Sequence, residues 1–119
     1  MFMRSKMDAG LTPPIEYHKS AEAIVLGEAL VMAGNGLTKC GATAKPDYMA
    51  VGPVNEGVAP VIKVQDYIQF EAPVEGGAGS LKVGDKVTLS ADGLGVTDTT
   101  DGGVATIVAI EGDTVVVRF

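Results

Sequence analysis

Ser80 to Phe119, SLKVGDKVTLSADGLGVTDTTDGGVATIVAIEGDTVVVRF, is the stretch that decides the fold. It holds no proline and is the most β-branched part of the chain. Val83-Gly84-Asp85-Lys86-Val87 is echoed by Glu111-Gly112-Asp113-Thr114-Val115. In each copy a Gly-Asp pair leads directly into a strand-like run, as hairpin chemistry requires. Lys86 to Ser90 alternates, which turns Val87 and Leu89 inward. From Val104 to Ile110 both faces are apolar: Val104, Val108 and Ile110 on one, Ala105, Ile107 and Ala109 on the other. A strand of that kind is covered on both sides. In so small a domain a second copy is a natural cover, so Ala105, Ile107 and Ala109 are the candidate oligomer contact. Thr114 to Phe119 then closes the sheet with Val115, Val117 and Phe119 inward.

Working outward, Tyr67 to Glu71 places Ile68 and Phe70 on one face, and Val58 to Val64 and Tyr48 to Val51 form two further strands. Pro60 and Pro73 suit edges or strand ends. Glu75-Gly76-Gly77-Ala78-Gly79 is the most flexible internal loop. Ser20 to Met32 mixes helix formers with Gly27, Val25 and Val31. Ala33-Gly34-Asn35-Gly36 between two apolar runs reads as a hairpin turn and tips the segment to strands. Ile15-Glu16-Tyr17-His18-Lys19 alternates and fits an edge strand. Before it, Met1 to Pro14 has no hydrophobic period, and Pro13-Pro14 holds the backbone extended. These fourteen residues are expected to be a flexible arm on a single β-rich domain spanning Ile15 to Phe119. The fold class is therefore all-β, with at most one short helix: a small barrel- or sandwich-like body.

Composition narrows the function. Leu, Ile, Val and Phe make up 32 of 119 residues, above the ~20 % that suggests disorder. A net charge of −6, dispersed basic residues and six aromatics disfavour nucleic acid, since phosphate contact needs a basic footprint. Apolar runs such as Ala23 to Leu26 are too short to span a bilayer, and Met1 to Lys6 lacks the apolar core of a secretory signal. Cys40 is the single cysteine and His18 the single histidine. A structural thiol is the expectation there, in preference to a nucleophile and base. Asp98 and Asp101 lack calcium-loop spacing and a terminal Glu. The glycine-rich turns lack the P-loop lysine, and no catalytic signature is present. No enzyme, metal or cofactor is expected.

Taken in order, several segments resemble one family. These are Ser20-Ala21-Glu22-Ala23-Ile24-Val25-Leu26-Gly27-Glu28-Ala29-Leu30-Val31, Gly36-Leu37-Thr38-Lys39-Cys40 and Lys45-Pro46-Asp47-Tyr48-Met49-Ala50. Val83-Gly84-Asp85-Lys86-Val87 and the ending Gly112-Asp113-Thr114-Val115-Val116-Val117-Arg118-Phe119 belong with them. Together, across Glu16 to Phe119, they look like the capsid decoration, or cement, proteins of tailed bacteriophages. That resemblance implies a structural protein made in the host cytoplasm and carried on the outer surface of the virion. It implies binding to the major capsid protein of the expanded head, commonly as a homotrimer, through an N-terminal arm. The arm's Ile15 and Tyr17 would anchor it, and Met1, Met3 and Met7 would adapt to irregular apolar pockets. The Val83 to Val87 turn also resembles small SH3-like or translation-factor barrels, which act as binding modules in larger assemblies. A carrier domain is a third possibility, but the Met-Lys-Met tip of biotinyl carriers is missing.

Overall fold

Alternating valines need a second layer to bury them, and the computed structural model supplies it. It describes residues 1–5 and 13–119, which form two antiparallel sheets with no helix and no closed barrel. In chain order the strands are β1 (Met3–Arg4), β2 (Ile15–Lys19), β3 (Ala29–Ala33), β4 (Gly36–Lys39), β5 (Tyr48–Ala50), β6 (Val58–Lys63), β7 (Phe70–Glu75), β8 (Lys86–Val87), β9 (Val96–Thr97), β10 (Ala105–Glu111) and β11 (Thr114–Arg118). One sheet runs β1-β7-β11-β10-β8, with β9 joining β7 in parallel beyond β1; the other runs β2-β6-β5-β3-β4.

The two sheets share one core. Ala29, Met49 and Ile62 face it from the second sheet; Phe70, Val87, Ile107, Val115 and Val117 face it from the first. A smaller cluster of Ile24, Leu30, Leu37, Ala50, Ala59 and Val61 fills the other side of the second sheet. That sheet curls over the cluster until Ser20 bridges Leu37, bringing the end of β2 to β4.

The echoed Gly-Asp pairs have different roles. Gly112 takes φ 62° between Glu111 and Thr114, which pair, and Asp113 does not share the positive φ. This is a two-residue hairpin of type II′. Gly84-Asp85 joins no neighbouring pair of strands. Asp85 accepts the Lys82 N–H at 2.9 Å, and the turn docks on Ile107 through the Gly84 N–H (2.8 Å). The glycine loop after β7 is pinned, with Ala78 buried and its N–H on the Asp113 carboxylate at 3.2 Å.

Both prolines sit inside strands, at points where a partner stops. The Val51 N–H donates to the Pro60 carbonyl at 3.0 Å, so the N–H that Pro60 lacks would have pointed past the end of β5. The Val74 N–H reaches Asp113, so Pro73 turns its nitrogen away from β11, to where β1 hands over to β9. Of Ser20 to Met32, only Ala29 onward is strand; Ser20 forms a bridge and 21–28 are irregular, with a turn at Leu26-Gly27.

Two expectations change here. The chain is not free of the body from Met1: Met3 and Arg4 pair with Glu71 and Phe70, and the Ser5 N–H donates to Gln69 at 2.8 Å. Phe2 is 3 % exposed, its ring against Phe70 and Phe119. One large aromatic outweighs the absence of any local period, because its burial stabilises by about 1.5–3 kcal/mol. Of the expected arm, residues 6–12, Met7 among them, lie outside the described residues. Second, Ala105 and Ile107 are fully buried in the shared core, with no surface for a second copy. The cover expected from a partner comes from the other sheet. Ala109 pairs with Val116 beyond a bulge at Val108, on the half-buried outer face.

Candidate functional site

Strand register brings the site together. Ala29, Met49, Ile62 and Ile15 are successive partners across the second sheet, so their side chains form one row on the core face. The first three are buried; Ile15, at the edge, is 55 % exposed. Tyr17, Pro60 and Val51 make a second row on that face, and Tyr17 is 69 % exposed. Across from Ile15 stands the edge strand of the other sheet, β1. Between the two edges lies a groove of about 320 Å³. Met1, Met3, Pro13, Ile15, Leu26 and Val51 surround it, over a floor of Phe2, Met49, Ile62 and Phe70.

Five of the eleven exposed large apolar side chains among the described residues line it, Met1, Met3, Ile15, Leu26 and Val51, and Tyr17 follows Ile15 on the same face of β2. Such a cluster exceeds the scattered single apolar residues of an ordinary surface.

The backbone at the rim has a direction as well. Pro60 and Val64 bond toward β5 and the Asp47 loop, so the alternate residues Ala59 and Val61 face β2, opposite His18 and Glu16. The N–H and C=O groups of Ile15 and Tyr17 therefore point outward along the edge. From Lys19 onward β4 covers it: a Cβ on Gly36 would lie 2.5 Å from the Lys19 carbonyl oxygen.

Four of the five residues expected to contact a partner are thus placed. Met1, Met3 and Ile15 line the groove, Tyr17 stands next to it, and Met7 lies outside the described residues. Leu26 and Val51 were not expected. Each ends an apolar run directly ahead of a glycine, Gly27 and Gly52, and that position was the available signal.

On the opposite face of β2, His18 lies 2.8 Å from Glu16 and its ring is 4.9 Å from that of Tyr48. Burial, followed by the Glu16 and Asp47 carboxylates, raises the Tyr48 hydroxyl above its ordinary range. Cys40 is buried, its thiol donating to the Ala44 carbonyl at 3.1 Å, and burial together with Asp47 pushes it up to about 11. Thiolate is the reactive form, so Cys40 should resist an aromatic disulfide reagent at mildly alkaline pH and react at once in denaturant. Equal rates in both states would contradict the buried thiol. Asp98 and Asp101 are exposed, and no group of three metal-ligating side chains occurs among the described residues.

The chain matches no protein-family model, no curated protein and no solved structure.

Proposed function

We propose that this chain is a capsid decoration protein: a passive staple that binds the outer face of an expanded bacteriophage head through the apolar groove. The clustering of Met1, Met3, Ile15 and Tyr17 around one groove carries the reading. It supplies a clustered apolar surface, and the ordered motifs from Glu16 to Phe119 supply the resemblance that directs it to the major capsid protein.

A staple of this kind needs no chemistry. A protein that binds the mature lattice and not the immature one stabilises the former by linkage, in proportion to RT ln(1 + [L]/Kd). Assembly as a homotrimer would bring three grooves to neighbouring capsid subunits, with an avidity gain of about 10²–10⁴. The groove also changes how the N-terminus takes part. Met1 and Met3 contribute as walls held by β1, and Ile15 and Tyr17 as a rim with outward backbone groups.

Co-sedimentation with expanded and unexpanded heads lacking the protein tests the reading. Saturable binding to expanded heads alone is expected. Ile15→Asp, which puts a charge in the groove without touching the buried row, should weaken binding about 30-fold or more. Binding to neither head would remove the proposal and favour an SH3-like binding module of a larger assembly. Unchanged binding by Ile15→Asp would move the contact off the groove.

A further inference from the structure

Glu28 is the one buried carboxylate among the described residues, 3 % exposed, and it sits in the turn that walls the groove. Its Oε1 accepts the Val25 N–H at 3.2 Å and its own N–H returns to the Val25 carbonyl at 3.3 Å. Oε2 is buried without a hydrogen-bond partner. A charged oxygen left unsatisfied in this way is costly. The charged groups around the carboxyl are Lys39 of β4, Glu22 earlier in the same segment and Asp92 in the 90–94 turn. Gly93 closes over it, since a Cβ there would lie 3.1 Å from Glu28 Cγ and 3.3 Å from Lys39 Cγ. Burial raises the Glu28 carboxyl above the usual carboxylate range; the Val25 N–H and Lys39 oppose this, Glu22 and Asp92 add to it.

The same turn holds the groove in shape. Leu26 is one of its walls. The Gly27 N–H donates to Ala50 and the Gly27 carbonyl accepts the Phe2 N–H, both at 2.9 Å. Gly27 has φ 81°, and a Cβ there would meet Met1 Cβ at 2.4 Å. Leu26 and the Gly27 contacts to β1 belong to the same turn as Glu28, so a movement of that turn that lets water reach Glu28 Oε2 also moves Leu26 and loosens the grip on β1.

We propose that Glu28 is a proton-operated latch on the groove: a protonated carboxyl keeps the 25–28 turn seated, and an ionised one releases the turn together with β1. The folded state holds this proton more tightly than the unfolded chain does. Its stabilising contribution is complete in acid and is lost as pH rises through the folded-state titration. The latch regulates the groove assigned above as the capsid contact, so its relevance to capsids rests on that reading. Released, the first residues would change from a wall of the groove into an extended arm.

Amide hydrogen exchange on the isolated protein tests the latch, so a failure to bind capsids leaves this result intact. After correction for intrinsic rates, protection of the Phe2 and Gly27 amides should fall on the order of tenfold between about pH 4 and about pH 7. Amides of β10 and β11 should stay level. In Glu28→Gln the drop should vanish, because the amide keeps the acceptor for Val25 and cannot ionise. Parallel pH profiles in wild type and Glu28→Gln would overturn the proposal. If Glu28→Gln does not fold, Lys39→Met decides. Removing the cation that favours the ionised form should move the midpoint of the drop to higher pH, and an unmoved midpoint would overturn the latch.

Discussion

Phe2→Ala should cost about 3–5 kcal/mol of folding stability, read as a lowered urea midpoint with an unchanged slope. Here the ring fills the junction of the two sheets, with centroids 6.4 Å from Phe70 and 5.9 Å from Phe119. Truncation leaves a cavity walled by aromatic and branched side chains already committed to other contacts, so collapse around it is limited. Strand β1 has only two paired residues, too few to hold on backbone hydrogen bonds alone. Phe2 is what fastens it, and Met1 and Met3 are positioned in consequence. A loss below about 1 kcal/mol would mean that the ring is not part of the working core. The first residues would then behave as a detached arm.

Gly103→Ala is expected to be as damaging for a different reason, at about 3 kcal/mol or more. A Cβ at Gly103 would lie 2.1 Å from the Lys86 carbonyl oxygen and 2.7 Å from the Val87 nitrogen. Both obstacles are backbone, so no rotamer change relieves them. Val104 donates to the Val87 carbonyl at 2.9 Å, and Ala105 and Thr106 pair with Val87 and Lys86. Pushing β8 away therefore breaks the ladder at the edge of the first sheet. Gly79→Ala is the matched control, with open space around its Cβ and no positive φ. It should unfold within about 0.5 kcal/mol of wild type. Coincident melting of the two variants would contradict the close approach of β8 and β10.

Where local chemistry determines structure, the sequence was legible. The alternation Ile15-Glu16-Tyr17-His18-Lys19 is β2, the Gly34-Asn35 turn joins β3 to β4, and Gly112-Asp113 joins β10 to β11. Two-residue periods and turn residues act over a few positions and can be read there. Strand β1 could not be read, because two residues carry no period and their partner is β7, some seventy residues on. The inward face of Ala105 and Ile107 was misassigned to a partner copy, because a strand pattern shows that a face is covered without showing by what. Of the site, Met1 and Met3 were visible as adaptable apolar side chains of the opening segment, and Ile15 and Tyr17 as one face of an alternating strand. Leu26 and Val51 join them only through the fold, from turns at the ends of unrelated strands.

The sheet order also governs how the protein can be made. Residues 15–63 contain every strand of the second sheet, so that half can close while synthesis continues. The first sheet cannot. Its central strand is β11, lodged between β7 and β10, and until residues 114–118 have emerged neither neighbour has its main partner. Phe2 is synthesised well before Phe70 and Phe119 and waits for them to complete its pocket. Such long-range closure is slow, and a nascent chain halted before β11 would hold one finished sheet beside the unpaired edges of β7 and β10, open to aggregation.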